Sequence, residues 1–206
     1  MKKPLRGEKE YLVGVDEAGR GPLAGPVAIG TSVILKEKST KVFSFLKKHG
    51  LNDSKQVKES DREKLYEILL QMKKEKTIDW EVSLISAKVI STKGISHAIK
   101  LGVDKNLKKL KIKAQKSILE LDGALKIPQD NWKKASVIIK GDSIKPSIMI
   151  ASIVAKVARD RHMKTLSKKY PEYEFNIHKG YGTKKHREYI REYGMSKEHR
   201  VGWCKF

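Results

Sequence analysis

The chain has 206 residues, enough for one well-cored domain and short for two. Its 45 Lys and Arg against 24 Asp and Glu give a formal charge of +21, far more than solubility needs, so the expected partner is a polyanion. No apolar run approaches ~18 residues, no signal-type leader follows Met1 to Arg6, and a lone Cys204 excludes an internal disulfide or a multi-cysteine zinc site. Nucleic acid in a reducing cytoplasm, without a membrane, is the expectation.

Tyr11 to Val15 reads as a buried strand. The DEAGRGPLAGPV stretch that completes it carries Asp16, Glu17 and Arg20, and Gly19, Gly21 and Gly25 with Pro22 and Pro26 forbid a regular element before Val27. Asp16 and Glu17 are therefore expected where the strand stops, with the pleat broken so that both carboxylates can face one pocket. Val27 to Leu35 is a β-branched run expected to return antiparallel. A polar connection then runs from Leu46 to Lys58 and includes Asp53, Ser54 and Lys55.

Ser60 and Glu63 form an S-x-x-E capping box before Leu65, Ile68, Leu69 and Met72, which predicts a helix from Ser60 to about Glu75. Alternation from Trp80 to Ser86 predicts a strand, and Ile95, Ala98, Ile99, Val103, Leu107 and Leu110 a second helix. Short strands at Ile118–Leu121 and Val137–Ile139 close on Asp122-Gly123 and Gly141-Asp142. Ser147 to His162 predicts a central helix whose small face (Ala151, Val154, Ala155, Ala158) can lie close on a sheet. Beyond Lys168 an irregular aromatic stretch leads to a helix capped by Thr183 and ended by Gly194. The sum is an α/β fold with a mixed sheet of about five strands flanked by helices. Residues 1–168 form the expected catalytic domain, and 169–206 a C-terminal helical segment completing the substrate groove.

Three strands end on acids: Asp16 with Glu17, Asp122, and Asp142. Adjacent strand ends make the usual site crevice of an α/β sheet. Converging carboxylates repel, and oxygen-seeking Mg²⁺ or Mn²⁺ relieves this; a pair of such ions ~3.5–4 Å apart can activate water and stabilise the leaving oxygen of a phosphodiester. Basic surface would then gather the backbone that the acidic centre cuts. Arg20, between glycines, suits a phosphate or sugar oxygen. Tyr181, between Gly180 and Gly182, is expected to be exposed and able to stack on a sugar or base. Asp160 is expected in a surface ion pair and Glu120 on the solvent side of its strand. His97, His162, His178, His186 and His199 have no metal-type spacing and are expected to take structural or surface roles. A phosphate-binding NTPase loop is disfavoured because no GK[ST] follows the glycines.

DEAGRGPLAGPV, the DSK of Asp53 to Lys55, the LDG of Leu121 to Gly123, the GDS of Gly141 to Ser143, ASIVAKVARD from Ala151 and GYGT from Gly180 together resemble type 2 ribonuclease H, in order and spacing, over nearly the whole chain. The resemblance implies an RNase H-like fold and metal-dependent endonucleolytic hydrolysis of the RNA strand of RNA/DNA hybrids, including the 5′ side of a single ribonucleotide in ribonucleotide-containing duplex DNA; a monomer is expected. It implies Asp16, Glu17, Asp122 and Asp142 as catalytic metal ligands. It further implies that Gly19, Arg20 and Gly21 read the ribose 2′-OH and that Tyr181 stacks on the following deoxyribose. The type 3 enzyme fits less well, since Arg20 fills the middle of GRG, and a non-catalytic nucleic-acid-binding module is the other alternative.

Overall fold

The computed structural model describes residues 9–50, 58–123, 125 and 132–205. The Asp53–Lys55 motif lies outside them. A five-stranded sheet has the order β3-β2-β1-β4-β5, with β1 Tyr11–Ala18, β2 Val27–Leu35, β3 Ile78–Ile85, β4 Ser117–Asp122 and β5 Lys134–Ile138. β2 runs antiparallel to β1 and β3, whereas β1, β4 and β5 are mutually parallel neighbours. The mixed sheet of the sequence expectation is thus present.

Both faces are covered. On one, Val13, Val15, Val27, Ile29, Leu119 and Leu121 pack with Ile90 of α3 (Ala87–Lys93) and Ala98, Ile99 and Val103 of α4 (Ile95–Lys109). Burying each such side chain contributes roughly 1.5–3 kcal/mol, so a one-residue slip of β1 or β4 is strongly opposed. The alternate residues, Gly14 and Asp16 on β1 and Glu120 and Asp122 on β4, are thereby turned to the other face. There α6 (Pro146–Lys169) lies across the sheet, supported by α1 (Ser39–Lys48) and α2 (Glu59–Lys74) through Val42, Leu46, Leu65 and Leu69.

Two glycines set how closely α6 approaches. A Cβ at Gly14 would lie 2.1 Å from the Ser147 carbonyl carbon, and one at Gly30 would lie 2.0 Å from the Ala151 oxygen. The small-residue face expected of this helix therefore does touch the sheet. That contact brings Ser152 and Lys156 over the ends of β1 and β4.

Several local expectations fail for identifiable reasons. α2 begins at Glu59 with Lys58 as a cap that makes no side-chain hydrogen bond, so the Ser60–Glu63 box does not form. β5 is shifted toward its start and Ile139 is 80% exposed, because the edge strand yields to a turn in which Lys140 is left-handed (φ 54°). Glu120 is buried, since a helix occupies the face where solvent was expected. α1 and α3 had no counterpart in the pattern.

Candidate active site

β1 does not stop at Val15. It continues to Ala18, pairing Asp16 with Gly30 and Glu17 with Ile29, so the expected break in the pleat is absent. Asp16 faces α6 by strand parity alone. It lies one residue beyond the last parallel pair, Val15 with Leu121, and Asp122 follows Leu121 on the neighbouring strand. Burial pushes the Asp16 carboxyl up to about 7, opposed by a hydrogen bond from Ser152, with Glu17 and Asp122 adding to the rise and Lys156 opposing it. The Asp16 Oδ1 also accepts the Glu17 N–H at 2.8 Å.

Glu17 is reached differently. Its carboxyl is raised by burial, lowered by Arg20 and raised again by Asp122, and Arg20 Nη1 stands 3.6 Å from its Oε1. Asp122 accepts the Gly141 N–H at 2.8 Å, which docks the short helix α5 (Gly141–Ile144) against the end of β4. Asp142, in that first turn, is almost wholly buried and has the Lys156 ammonium 3.9 Å from its Oδ2. Lys156 thus stands among the acids, held also by the Ser152 hydroxyl at 2.8 Å.

The structure therefore brings the acids of β1, β4 and α5 to one end of the sheet. Among the described residues, no three His, Cys, Asp or Glu side chains close into a ready-made metal cluster. The donors are nonetheless all carboxylate oxygens, and an ammonium is already drawn among them. That chemistry fits a hard divalent cation.

Beside the acids lies a groove of about 450 Å³ lined by Glu17, Gly19, Arg20, Gly21, Lys156 and Tyr181, with Arg62, Arg159 and Lys179 on its walls. Tyr181 is 49% exposed, as expected from its flanking glycines. Gly19 has φ +85° and a Cβ there would meet Arg159 Nε at 1.9 Å, whereas a Cβ at Gly21 would meet nothing within 4 Å. Beneath the loop, Arg159 donates to the carbonyls of Ala24, Pro26 and Lys179, and Arg200 to those of Gly19, Arg20 and Gly25.

The segment after α6 closes over this loop. α7 (Phe175–His178) and α8 (Lys184–Tyr193) share a small core with Ala24 and Met163, through Phe175 and Ile190. The Ser196 N–H donates to His199 Nδ1 at 2.9 Å, which leaves the His199 proton on Nε2, 3.2 Å from His186 Nε2. His186 then donates from Nδ1 to the Tyr181 carbonyl at 2.8 Å. Burial lowers the pKa of both rings to about 4. Their structural role matches the sequence expectation, and Asp160 makes the expected ion pair, with Arg62 at 3.0 Å, though it is half-buried between α2 and α6 rather than on the surface.

Ser152, Lys156, Arg159 and Arg200 had no assigned role in the sequence. The first three lie within ASIVAKVARD, whose helical spacing marks a packing helix and hides the polar residues reaching past it. Arg200 carries no local signal, because its partners are some 180 residues away.

Two solved structures share this fold over nearly their whole length. They are the RNase HII of Archaeoglobus fulgidus, solved in complex with PCNA (TM-score 0.73, 25% identity, 95% of this chain and 96% of that one), and ribonuclease H2 from Pyrococcus horikoshii OT3 (0.69, 30%, 94% and 95%). Bst-RNase HIII in complex with Mn²⁺ shares the fold, with a TM-score of 0.71 at 16% identity, over 95% of this chain and 68% of that one. The fold and the enzymes that share it define a ribonuclease H, an endonuclease.

The family model described as Ribonuclease HII matches residues 13–206. Ribonuclease HII of Caldicellulosiruptor bescii is 40% identical over 195 residues, 95% of this chain and 87% of that protein. That of Fusobacterium nucleatum subsp. nucleatum is 44% identical over 189 residues, covering 91% and 82%. This chain belongs to the ribonuclease HII family.

Proposed function

We propose that the chain hydrolyses the RNA strand of RNA/DNA hybrids and cuts 5′ to single ribonucleotides embedded in duplex DNA, leaving 5′-phosphate and 3′-hydroxyl ends. The observation that carries this reading is the single groove that joins Glu17, at the acidic end of the sheet, to the Gly19–Gly21 loop and Tyr181. Chemistry and ribose selection then act on one stretch of strand. Water adds to phosphorus, the bond from phosphorus to the 3′-oxygen breaks, and that oxygen leaves with a proton.

Asp16, Glu17, Asp122 and Asp142 would hold two Mg²⁺ or Mn²⁺ ions, which when bound supply a Lewis acid for the phosphoryl oxygens and a lowered pKa for water. Lys156, 3.9 Å from Asp142, offsets part of the charge of the acid cluster. Arg62, Lys156 and Lys179 on the groove walls suit phosphates on either side of the scissile bond. The Gly19–Gly21 backbone comes close enough to test for a 2′-OH, the one group that separates RNA from DNA at a given nucleotide. Tyr181 offers a ring face to the next sugar.

Cleavage of a labelled RNA/DNA hybrid in Mg²⁺, in EDTA and by Asp16→Asn tests the reading. Activity in Mg²⁺ alone, lost in the other two cases while hybrid binding persists, is the expected result. Binding without cleavage by the unaltered protein in Mg²⁺ and in Mn²⁺ would leave a nucleic-acid-binding module instead.

A further inference from the structure

We propose that Arg200 is the positioning residue of the ribose-reading loop, a role that rests on the function proposed above for Gly19 to Gly21. Its side chain is completely buried, and its planar fork takes three carbonyls of one loop at once: Nη2 donates to Gly19 at 2.7 Å, Nη1 to Arg20 at 2.8 Å and Nε to Gly25 at 3.0 Å. A trans peptide unit is planar, with its C=O and N–H on opposite edges. Drawing the Gly19 and Arg20 carbonyls onto the guanidinium therefore turns the N–H groups of Arg20 and Gly21 the other way, outward from the protein interior. Two consecutive outward N–H groups can meet a sugar hydroxyl or a phosphate oxygen.

Gly19 is left-handed, and a Cβ at Gly21 would meet nothing within 4 Å, so the glycines leave these peptide units room to turn and the fork of Arg200 holds them. Arg159 holds a different set of carbonyls, from Ala24, Pro26 and Lys179, and so anchors the loop's far end. Arg200 is itself fixed by its neighbours: its N–H donates to Leu23 at 2.7 Å, Gly25 donates to Glu198 at 2.8 Å, and the guanidinium rests over the Trp203 ring at 5.1 Å. Lysine has one point charge and no planar fork, so it can serve only part of this set.

The test compares the unaltered protein with Arg200→Lys in EDTA, where nothing is cut. Affinity is measured for a duplex carrying one ribonucleotide and for the same duplex in all-DNA form, and backbone order parameters are followed by NMR relaxation at the Arg20 and Gly21 amides of the unbound protein. The expected result is a loss of about tenfold in the preference for the ribonucleotide, unchanged affinity for all-DNA, and lower order parameters at both amides. Should Arg200→Lys fail to fold, Trp203→Leu removes the ring under the guanidinium without touching a carbonyl, and the same signs are expected at smaller size. A preference that survives with lowered order parameters, or affinities for both duplexes that fall together with order parameters unchanged, would overturn the role. If the unaltered protein shows no preference for the ribonucleotide, the ribose-reading function fails; the order parameters then still decide whether Arg200 orders the loop.

Discussion

Asp122 Oδ1 accepts the backbone N–H of Gly141 at 2.8 Å, so one carboxylate both faces the acid cluster and ties α5 to the end of β4. The two duties separate by substitution. Asp122→Asn keeps an oxygen for Gly141 and loses the charge; Asp122→Ala loses both. Each should abolish cleavage, but only Asp122→Ala should also lower stability, by about 1–3 kcal/mol in denaturant unfolding. Equal stability of the two variants would mean that the bond to Gly141 holds nothing in place.

The loop glycines should behave oppositely. A methyl at Gly19 collides with Arg159 and requires a left-handed alanine, so Gly19→Ala should lower the melting temperature; 1 kcal/mol corresponds to about 2–4 °C at this size. Gly21→Ala has open space, so its melting temperature should stay within about 2 °C of the unaltered protein while hybrid cleavage falls at least about tenfold, because the methyl blocks close approach of a sugar. Undiminished cleavage by folded Gly21→Ala would remove that backbone from substrate contact.

Tyr181→Ala should act on substrate choice. The ring is exposed on the groove, and removing a sugar or base stack costs ~1–3 kcal/mol, so cleavage at a single ribonucleotide should drop roughly tenfold or more with a smaller loss on uniform hybrid. Equal slowing of both substrates, or of neither, would make Tyr181 a packing residue.

The His186–His199 pair predicts an acid-labile C-terminal segment. In the unfolded chain each ring titrates near ~6.5, and in the folded protein burial holds the value at about 4. The unfolded state thus binds more protons between these values. Stability from the neutral pair is complete above pH ~6.5 and is lost as pH falls toward 4, at up to about 1.4 kcal/mol per pH unit for each ring. Asp16, raised to about 7, contributes the opposite slope in this range, so the pair is read from a difference: denaturant midpoints measured from pH 7.5 to 5 should fall less with acid, or rise more, in His199→Gln than in the unaltered protein. A slope unaffected by His199→Gln would mean that the pair does not titrate in this window.

Much of this site was legible because acids stood at the ends of hydrophobic runs: Asp16 after Val15, Asp122 after Leu121. The same alternation misled at Glu120, which shares the parity of Asp122. The expected solvent side of β4 at Glu120 is covered by α6, and Glu120 instead accepts from Ser147 and pairs with Lys145 at 3.2 Å. α1 escaped because it buries only Val42 and Leu46, too few for a period to stand out. The two loop-holding arginines were illegible for a different reason. Their roles depend on carbonyls of the loop that follows β1, and no local spacing encodes a partner more than a hundred residues away.

The most direct measurement is cleavage of three otherwise identical duplexes carrying one, four or no ribonucleotides, in Mg²⁺ and in Mn²⁺. The proposed site should cut the first two on the 5′ side of a ribonucleotide, leaving 5′-phosphate and 3′-hydroxyl ends, and should leave the all-DNA duplex intact with either ion. Cleavage of the all-DNA duplex, or of none of the three, would contradict it.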